Sequence, residues 1–174
     1  MQLIGKTVGI LAGPGYEDLE FWVPYMRMKE EGAEVKVISD KGGETYTSKT
    51  GGLTVKSEIG AGQVSADQLV ALLVPGGWAP DKLRRDPNIL QLVREMNSQG
   101  KILGFICHAG WVAASAGICR GKQATGSLGI KDDMENAGAT WVDKPAFTEG
   151  NLVWGRVVKD IPDYCRELVK ALTA

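Results

Sequence analysis

The stretch Ile102–Gly110, which reads ILGFICHAG, carries the most information about the fold. Its apolar first half, Ile102–Ile106, has the length and composition of a buried β-strand. Cys107 follows that strand directly, and the small residues after it favour a sharp turn into a helix. This is the pattern of a nucleophile elbow, in which a strained strand-to-helix turn raises a nucleophilic side chain above the edge of a sheet. The stretch therefore predicts a strand, a tight turn bearing Cys107, and a helix of small residues.

The same alternation of strand and helix patterns continues on both sides of this stretch. Further strands are predicted at Thr7–Ala12, Ala33–Ser39, Leu69–Val74, around Trp141 and at Leu152–Trp154. Helices are predicted at Glu17–Glu31, between Asp86 and Gly100, at His108–Ala116, Ile130–Ala137 and Asp160–Leu172. The segment Lys41–Ser57 is rich in Gly, Thr and Ser, which favours short edge strands or a hairpin. This order predicts an α/β protein with a mostly parallel sheet covered by helices on both faces.

The length and charge of the chain restrict its class. The 174 residues fit one domain, which we place at 1–174, and 44% of them are hydrophobic, enough for a substantial core. A net charge of −1, from 20 basic and 21 acidic residues, offers no electrostatic basis for binding nucleic acid or an anionic membrane. The apolar runs are too short to span a bilayer, and the N-terminus lacks the layout of a signal peptide. We expect a cytoplasmic protein with neither of those partners.

The three cysteines, Cys107, Cys119 and Cys165, are widely spaced and odd in number. This spacing suggests neither a disulfide framework nor a zinc motif, and the chain has only one histidine to add to them. We therefore expect free thiols in a reducing compartment and no metal site. Cys119 and Cys165 are read as structural residues.

Three glycine-containing turns follow predicted buried strands. They are Gly13–Gly15 with Glu17 just beyond it, Pro75–Gly77, and the turn at Cys107 and His108. In open parallel sheets, ligands bind outside the carboxyl ends of the strands. We therefore expect the three turns to converge on one site.

The candidate chemistry centres on Cys107 and His108. A thiol at a helix N-terminus, close to backbone N–H groups and an imidazole, is favoured as the reactive thiolate. A small core residue is the alternative for an isolated cysteine, but the adjacent single histidine argues for a nucleophile. Glu17 is either a first-turn carboxylate favoured by the helix dipole or an acid that shares a proton with the Cys107 thiolate.

Several motifs together resemble the ThiJ/PfpI family, of the class I glutamine amidotransferase-like superfamily. The matching pieces, which cover nearly the whole chain, are Tyr16–Glu20, Pro24–Tyr25, Lys29–Gly32, Leu73–Gly77, Ala79–Pro80, Ile106–His108, Ser115–Gly117, Gly129–Met134 and Asn136–Gly138. The resemblance implies a flavodoxin-like α/β/α sandwich in three layers with a nucleophile elbow. It also implies that no metal or organic cofactor is needed.

The resemblance assigns roles to residues of the three turns. Cys107 matches the family's nucleophile, His108 its following histidine, and Glu17 the carboxyl group that contacts the thiol. Backbone N–H groups of Gly76, Gly77 and His108 would form an oxyanion hole. Relatives form dimers or hexamers in which a neighbouring subunit contributes an acidic residue, so we expect a homo-oligomer.

Three departures from the family pattern change the expected walls of the pocket. Asp81 stands where hexameric members usually carry Glu, which bears on any contribution from a neighbouring subunit. Trp78 occupies a position often held by Arg. The elbow reads CHAGW, which brings Trp111 close to the predicted pocket.

The leading functional hypothesis is attack by the Cys107 thiolate on a small carbonyl substrate, an α-oxoaldehyde or its adduct, in a glyoxalase III or deglycase-like reaction. The sequence does not decide whether His108 or Glu17 is the main base. One alternative keeps the same nucleophile in an intracellular peptidase or amidase that acts on peptides. Another is a redox-sensing, stress-protective protein whose accessible thiol is oxidised.

Overall fold

A seven-stranded sheet forms the centre of the computed structural model, which describes residues 1–174. Its strands are β1 (Thr7–Leu11), β2 (Glu34–Ser39), β5 (Ile59–Gly60), β6 (Ala71–Val74), β7 (Ile102–Ile106), β10 (Ala146–Glu149) and β11 (Leu152–Gly155). Two separate two-stranded pairs are β3 (Thr45–Thr47) with β4 (Thr54–Lys56), and β8 (Gln123–Ala124) with β9 (Thr140–Trp141). The central order is β10-β11-β7-β6-β1-β2-β5, and every neighbouring pair is parallel except β10 with β11.

Six α-helices flank this sheet in two groups. They are α1 (Asp18–Glu30), α2 (Ala79–Leu83), α3 (Pro87–Ser98), α4 (Gly110–Ala116), α5 (Lys131–Asn136) and α6 (Ile161–Thr173). Helix α1 packs against α6, whereas α4 packs against α2, α3 and α5. The predicted fold class, a flavodoxin-like α/β sandwich with a mostly parallel sheet, is confirmed. No helix combines the length and apolar character needed to cross a membrane.

The core lies on both faces of the sheet. All residues of β6 and β11 are buried, as expected for central strands that are covered by helices on both sides. One glycine of β7 shows how tightly the layers approach, because a Cβ atom at Gly104 would overlap the hydroxyl of Tyr164 in α6. The strand can therefore carry no larger side chain at this point.

Most sequence-predicted elements are present with shifts of one or two residues at their ends. The hairpin expected within Lys41–Ser57 is formed by β3 and β4. Strand β10 was not predicted, because its sequence AFTE lacks an apolar run and its place depends on antiparallel pairing with β11. The helix expected at His108–Ala116 is divided into a 3-10 turn, Cys107–Ala109, followed by α4.

Cys107 occupies a strained turn at the carboxyl end of β7. Its φ of 60° makes it the only residue other than glycine with a positive φ. An L side chain in this region costs about 1–3 kcal/mol, which the surrounding structure must offset. The turn therefore has the geometry of the elbow expected from the sequence.

This strain predicts an unusual order of stability between two variants that both lack the thiol. The free energy of unfolding of Cys107→Gly is expected to exceed that of Cys107→Ala by about 1 kcal/mol, because glycine adopts positive φ without a steric cost. Cys107→Gly should therefore unfold at a higher denaturant concentration. Urea unfolding followed by circular dichroism measures the difference. An alanine variant as stable as the glycine variant, or more so, would show that the turn is not strained.

Candidate functional site

The three glycine turns meet at the carboxyl edge of the sheet, as the sequence predicted. The N–H of Glu17 donates to the carbonyl of Gly76 at 3.1 Å, and the N–H of Trp78 donates to the carbonyl of Gly15 at 2.8 Å. A pocket of about 510 Å³ opens between these turns and is lined by Cys107 and His108. The candidate site is therefore assembled from the ends of β1, β6 and β7.

A buried carboxyl group of α1 lies beside the thiol. Glu20 is only 1% exposed, and its Oε2 accepts the N–H of Gly76 at 2.8 Å. Its Oε1 has no hydrogen-bond partner in the chain, and its charge acts on the pKa of Cys107. A Cβ atom at Gly76 would overlap the Glu20 carboxylate and crowd the Cβ of Cys107. Gly76 must therefore remain glycine for the acid to reach the thiol.

The prediction that Glu17 contacts the thiol is wrong. The Glu17 carboxylate caps the N-terminus of α1 by accepting the N–H of Glu20 at 2.8 Å. This is the first-turn role that the sequence left open, although Glu17 also lines the pocket. Glu20 is one helical turn further along, three residues away on the same face. The motif Tyr16–Glu20 contains both glutamates, so the sequence does offer Glu20 as a candidate. Only the packing of α1 on the sheet shows which of the two carboxyl groups lies beside the thiol.

The Glu20 and Cys107 side chains titrate as a pair. Burial, assisted by the charge of Glu17, raises the pKa of Glu20 to about 7. Burial and the charge of Glu20 raise the pKa of Cys107 to about 12. Between these values the two groups hold a single proton, and the form with protonated Glu20 donating to a thiolate is the nucleophilic one.

His108 lies beside the sulfur in a form suited to accept a proton. Its Nδ1 is 3.3 Å from Sγ of Cys107, and burial together with the charge of Lys49 lowers its pKa. The Trp111 ring stands edge-on to the imidazole, with the ring centroids 5.2 Å apart. The indole N–H of Trp111 donates to Asp133 at 2.8 Å, which holds the ring in place. Trp111 is thus close to the site, as its position in the elbow suggested.

The backbone donors differ from those expected. Gly76 is not a free oxyanion donor, because its N–H is already donated to Glu20. The backbone N–H of His108 lowers the pKa of the Cys107 thiol and so favours the thiolate. Gly77 lines the pocket with a φ of 76°, and its N–H has no acceptor in the chain. Gly77 therefore supplies a free donor in the thiol pocket.

The two remaining predicted wall residues lie at different places. Trp78 lines the thiol pocket and is 61% exposed. Asp81 is paired with Arg85 and faces an adjacent groove that also contains Trp78 and Trp111. Within one chain, Asp81 is not brought to Cys107, so a role for it in a neighbouring subunit stays a prediction.

Two lysines at the site were not identified from the sequence. Lys49, in the turn between β3 and β4, and Lys159, just before α6, both line the pocket with Cys107. The sequence assigns neither lysine a role at the site, because each reaches the pocket only through the folding of a segment distant from Cys107. No group of three or more His, Cys, Asp or Glu side chains is arranged to hold a metal ion.

Comparison with known proteins agrees with this architecture. The model of the DJ-1/PfpI family matches residues 6–171, and the chain belongs to this family. A deglycase of Pyrococcus abyssi is 42% identical over 94% of this chain and 97% of its own length. Protein/nucleic acid deglycase 2 of Escherichia coli is 32% identical over 98% of this chain and 100% of its own.

A similar solved structure is a two-domain protein of Anabaena variabilis that contains DJ-1/ThiJ/PfpI-like and ferritin-like domains. It superimposes with a TM-score of 0.94 at 36% identity and covers 96% of this chain. The present chain spans 48% of that longer protein. The ThiJ/PfpI resemblance seen in the sequence is thereby confirmed.

The pairing of Glu20 with Cys107 predicts a distinctive pH profile of thiol reactivity. Alkylation of Cys107 by iodoacetamide is expected to rise as pH passes about 7, where the pair loses its first proton. Glu20→Gln should abolish that step, because no acid remains to share the proton. Glu17→Gln should keep the step but move it to lower pH, because a like charge beside Glu20 is removed. Rates are measured by mass spectrometry of the Cys107 peptide.

The same two variants reveal an incorrect assignment of the acid. A step lost in Glu17→Gln and kept in Glu20→Gln would show that Glu17 is the partner of the thiol.

Proposed function

We propose that this chain is a deglycase-like enzyme in which the Cys107 thiolate attacks the carbonyl carbon of a small α-oxoaldehyde or of its adduct. The observation that carries the proposal is the nucleophilic pair itself, a thiol on a strained elbow beside the buried acid Glu20. The deglycase names of relatives that align over nearly the whole chain support this reaction class.

The first step forms a bond between Sγ and the aldehyde carbon. The C=O π electrons move to oxygen, and the resulting alkoxide accepts a hydrogen bond from the free N–H of Gly77. The alkoxide then takes up a proton to give a hemithioacetal. The protonated form of Glu20 supplies this proton, because Glu20 shares a proton with the thiol and the sulfur gives up its share as the carbon–sulfur bond forms.

The second step moves a proton between the two oxidised carbons of the substrate. A base removes the hydrogen of the former aldehyde carbon, and the electron pair shifts towards the neighbouring ketone to give an enediol. Reprotonation at the second carbon leaves a thioester on Cys107, and water releases it as a 2-hydroxy acid. No redox partner is needed, because one carbon is oxidised and its neighbour is reduced.

Two groups are placed to act as that base. Neutral His108 lies 3.3 Å from the sulfur and lines the open pocket, whereas Glu20 is buried beneath the thiol. We assign the transfer between carbons to His108 and the control of the thiol proton to Glu20. Glu17, which was the candidate from the sequence, caps α1 and has no step here.

A peptidase reaction with the same nucleophile is less well supported. Amide cleavage requires a protonated imidazole to donate to the leaving amine, and both burial and Lys49 lower the pKa of His108. The acid that would orient the imidazole, Asp81, faces a different groove in the same chain. The peptidase alternative therefore requires that a neighbouring subunit of a dimer or hexamer supply the acid that orients the imidazole.

Conversion of methylglyoxal to lactate tests the proposal. The wild-type chain is expected to form lactate catalytically, and Cys107→Ala should lower the rate by at least about 10³-fold, because the covalent step is lost. Cys119→Ala, which removes a buried thiol remote from the pocket, should retain activity and serves as the matched control.

Lactate formed equally by Cys107→Ala would overturn the covalent scheme. Absence of lactate from all variants, with stoichiometric oxidation of Cys107 by peroxide, would favour the redox-sensing alternative instead.

A further inference from the structure

The mouth of the thiol pocket carries two lysines that form no ion pair. Lys49 and Lys159 both line the pocket, both are exposed, and no carboxylate lies within ion-pair distance of either ammonium group. Neither side chain donates a hydrogen bond to another group of the chain. The two positive charges are therefore available to a ligand that reaches Cys107.

Hydrogen bonds to the start of α1 and a contact with Trp78 hold Lys49 at the pocket. Its backbone N–H donates to the carbonyl of Tyr16 at 2.8 Å, and the hydroxyl of Thr50 donates to buried Asp18 at 2.6 Å. The ammonium group lies 5.1 Å from the centroid of the Trp78 ring, in a cation–π contact. The β3–β4 hairpin is thus tied to the start of α1 in a way that presents Lys49 to the pocket.

Lys159 approaches the pocket from a different segment. It lies in the 3-10 turn Val158–Asp160 that leads into α6, and Val157 and Val158 line the pocket beside it. The turn is fixed by Arg156, whose Nε donates to Asp160 at 2.9 Å. Asp160 is therefore paired with Arg156, and Lys159 forms no ion pair with it.

Neither acid of the pocket forms an ion pair with these lysines. Glu20 is buried beneath the thiol and is bound to Gly76, whereas Glu17 accepts the N–H of Glu20 at the N-terminus of α1. The negative charge is therefore concentrated at the inner end of the pocket and at the helix cap. The positive charge is concentrated at the mouth, where the part of a substrate remote from its reacting carbonyl would lie.

We propose that this site selects α-oxoaldehydes that carry an anionic group, a carboxylate or a phosphate, and that Lys49 and Lys159 bind this group. The inference rests on the proposed function for its reacting carbonyl. The apolar surface of Trp78 and Val158 would contact the short carbon chain between the two functional groups.

A matched pair of substrates tests this selectivity. The anionic probe is 4,5-dioxopentanoate, whose aldehyde hydrogen moves to C4 while water adds at C5 to give 2-hydroxyglutarate. The neutral probe is its methyl ester, which keeps the length and the reacting carbonyls but lacks the charge. The wild-type chain is expected to favour the anion by about tenfold in kcat/KM, mainly through KM, because two unpaired cations act at short range.

Charge removal should abolish this preference. The double variant Lys49→Gln/Lys159→Gln is expected to lower the ratio of kcat/KM for the anion to that for the methyl ester about tenfold. The charge of Lys49 also acts on Cys107 and His108, but that effect is the same for both probes and cancels in the ratio. Lys41→Gln, which removes an exposed lysine outside the pocket, is the control and should behave as the wild-type chain.

A second readout is independent of turnover. Iodoacetate and iodoacetamide alkylate the same thiolate but differ in charge, and 2-mercaptoethanol provides their intrinsic rate ratio. Cys107 should react with iodoacetate about tenfold faster than that ratio predicts, and both the double lysine variant and high salt should remove the excess. Equal use of both dioxo probes with no iodoacetate excess would overturn the inference and leave the proposed function intact. An iodoacetate excess without turnover of either probe would instead overturn the proposed function while supporting anion recognition.

Discussion

The buried carboxyl group of Glu20 connects the parts of the molecule that form the site. It joins α1 to the end of β6 by accepting the N–H of Gly76, and it lies beside Cys107 at the end of β7. A carboxyl group that is almost fully buried requires such partners, because an unpaired acid in this environment would be strongly destabilising. The position of α1, the bare backbone of Gly76 and the elbow at Cys107 are therefore interdependent. A change in any one of them displaces the acid from the thiol.

Burial and charge together make the pair reactive near neutral pH. The apolar layers raise the pKa of both acids, so neither ionises alone as it would in water. Their shared proton allows a thiolate to exist beside a neutral carboxylic acid, in which form the acid stabilises the sulfur rather than repelling it. The histidine beside them remains neutral for the same reasons, since burial disfavours its charged form. The inner end of the pocket thus holds proton-transfer groups, and the exposed mouth holds permanent positive charge.

Local patterns were sufficient for the architecture and for the position of the thiol. Short apolar runs closed by glycine turns predicted the parallel strands, and the run that ends at Cys107 predicted the elbow. The edge strand β10 was missed because its four residues carry no apolar pattern and are ordered by pairing with β11. The sequence does not distinguish Glu20 from Glu17 as the acid beside the thiol, because the two lie on the same helix face and share one periodicity. Nor does it show that the N–H of Gly76 is unavailable to a substrate, because its acceptor is that same buried acid.

The sequence by itself determined the class of the fold, the family and the cysteine at the turn, because these depend on short-range patterns of apolar, small and glycine residues. Tertiary structure alone decided which carboxyl group meets the sulfur, which backbone N–H stays free, and which lysines face the pocket. Glu20, Gly77, Lys49 and Lys159 come from four separate segments. Their distances to Cys107 follow from how the helices and the β3–β4 hairpin pack on the sheet, and no local pattern of residues encodes that packing.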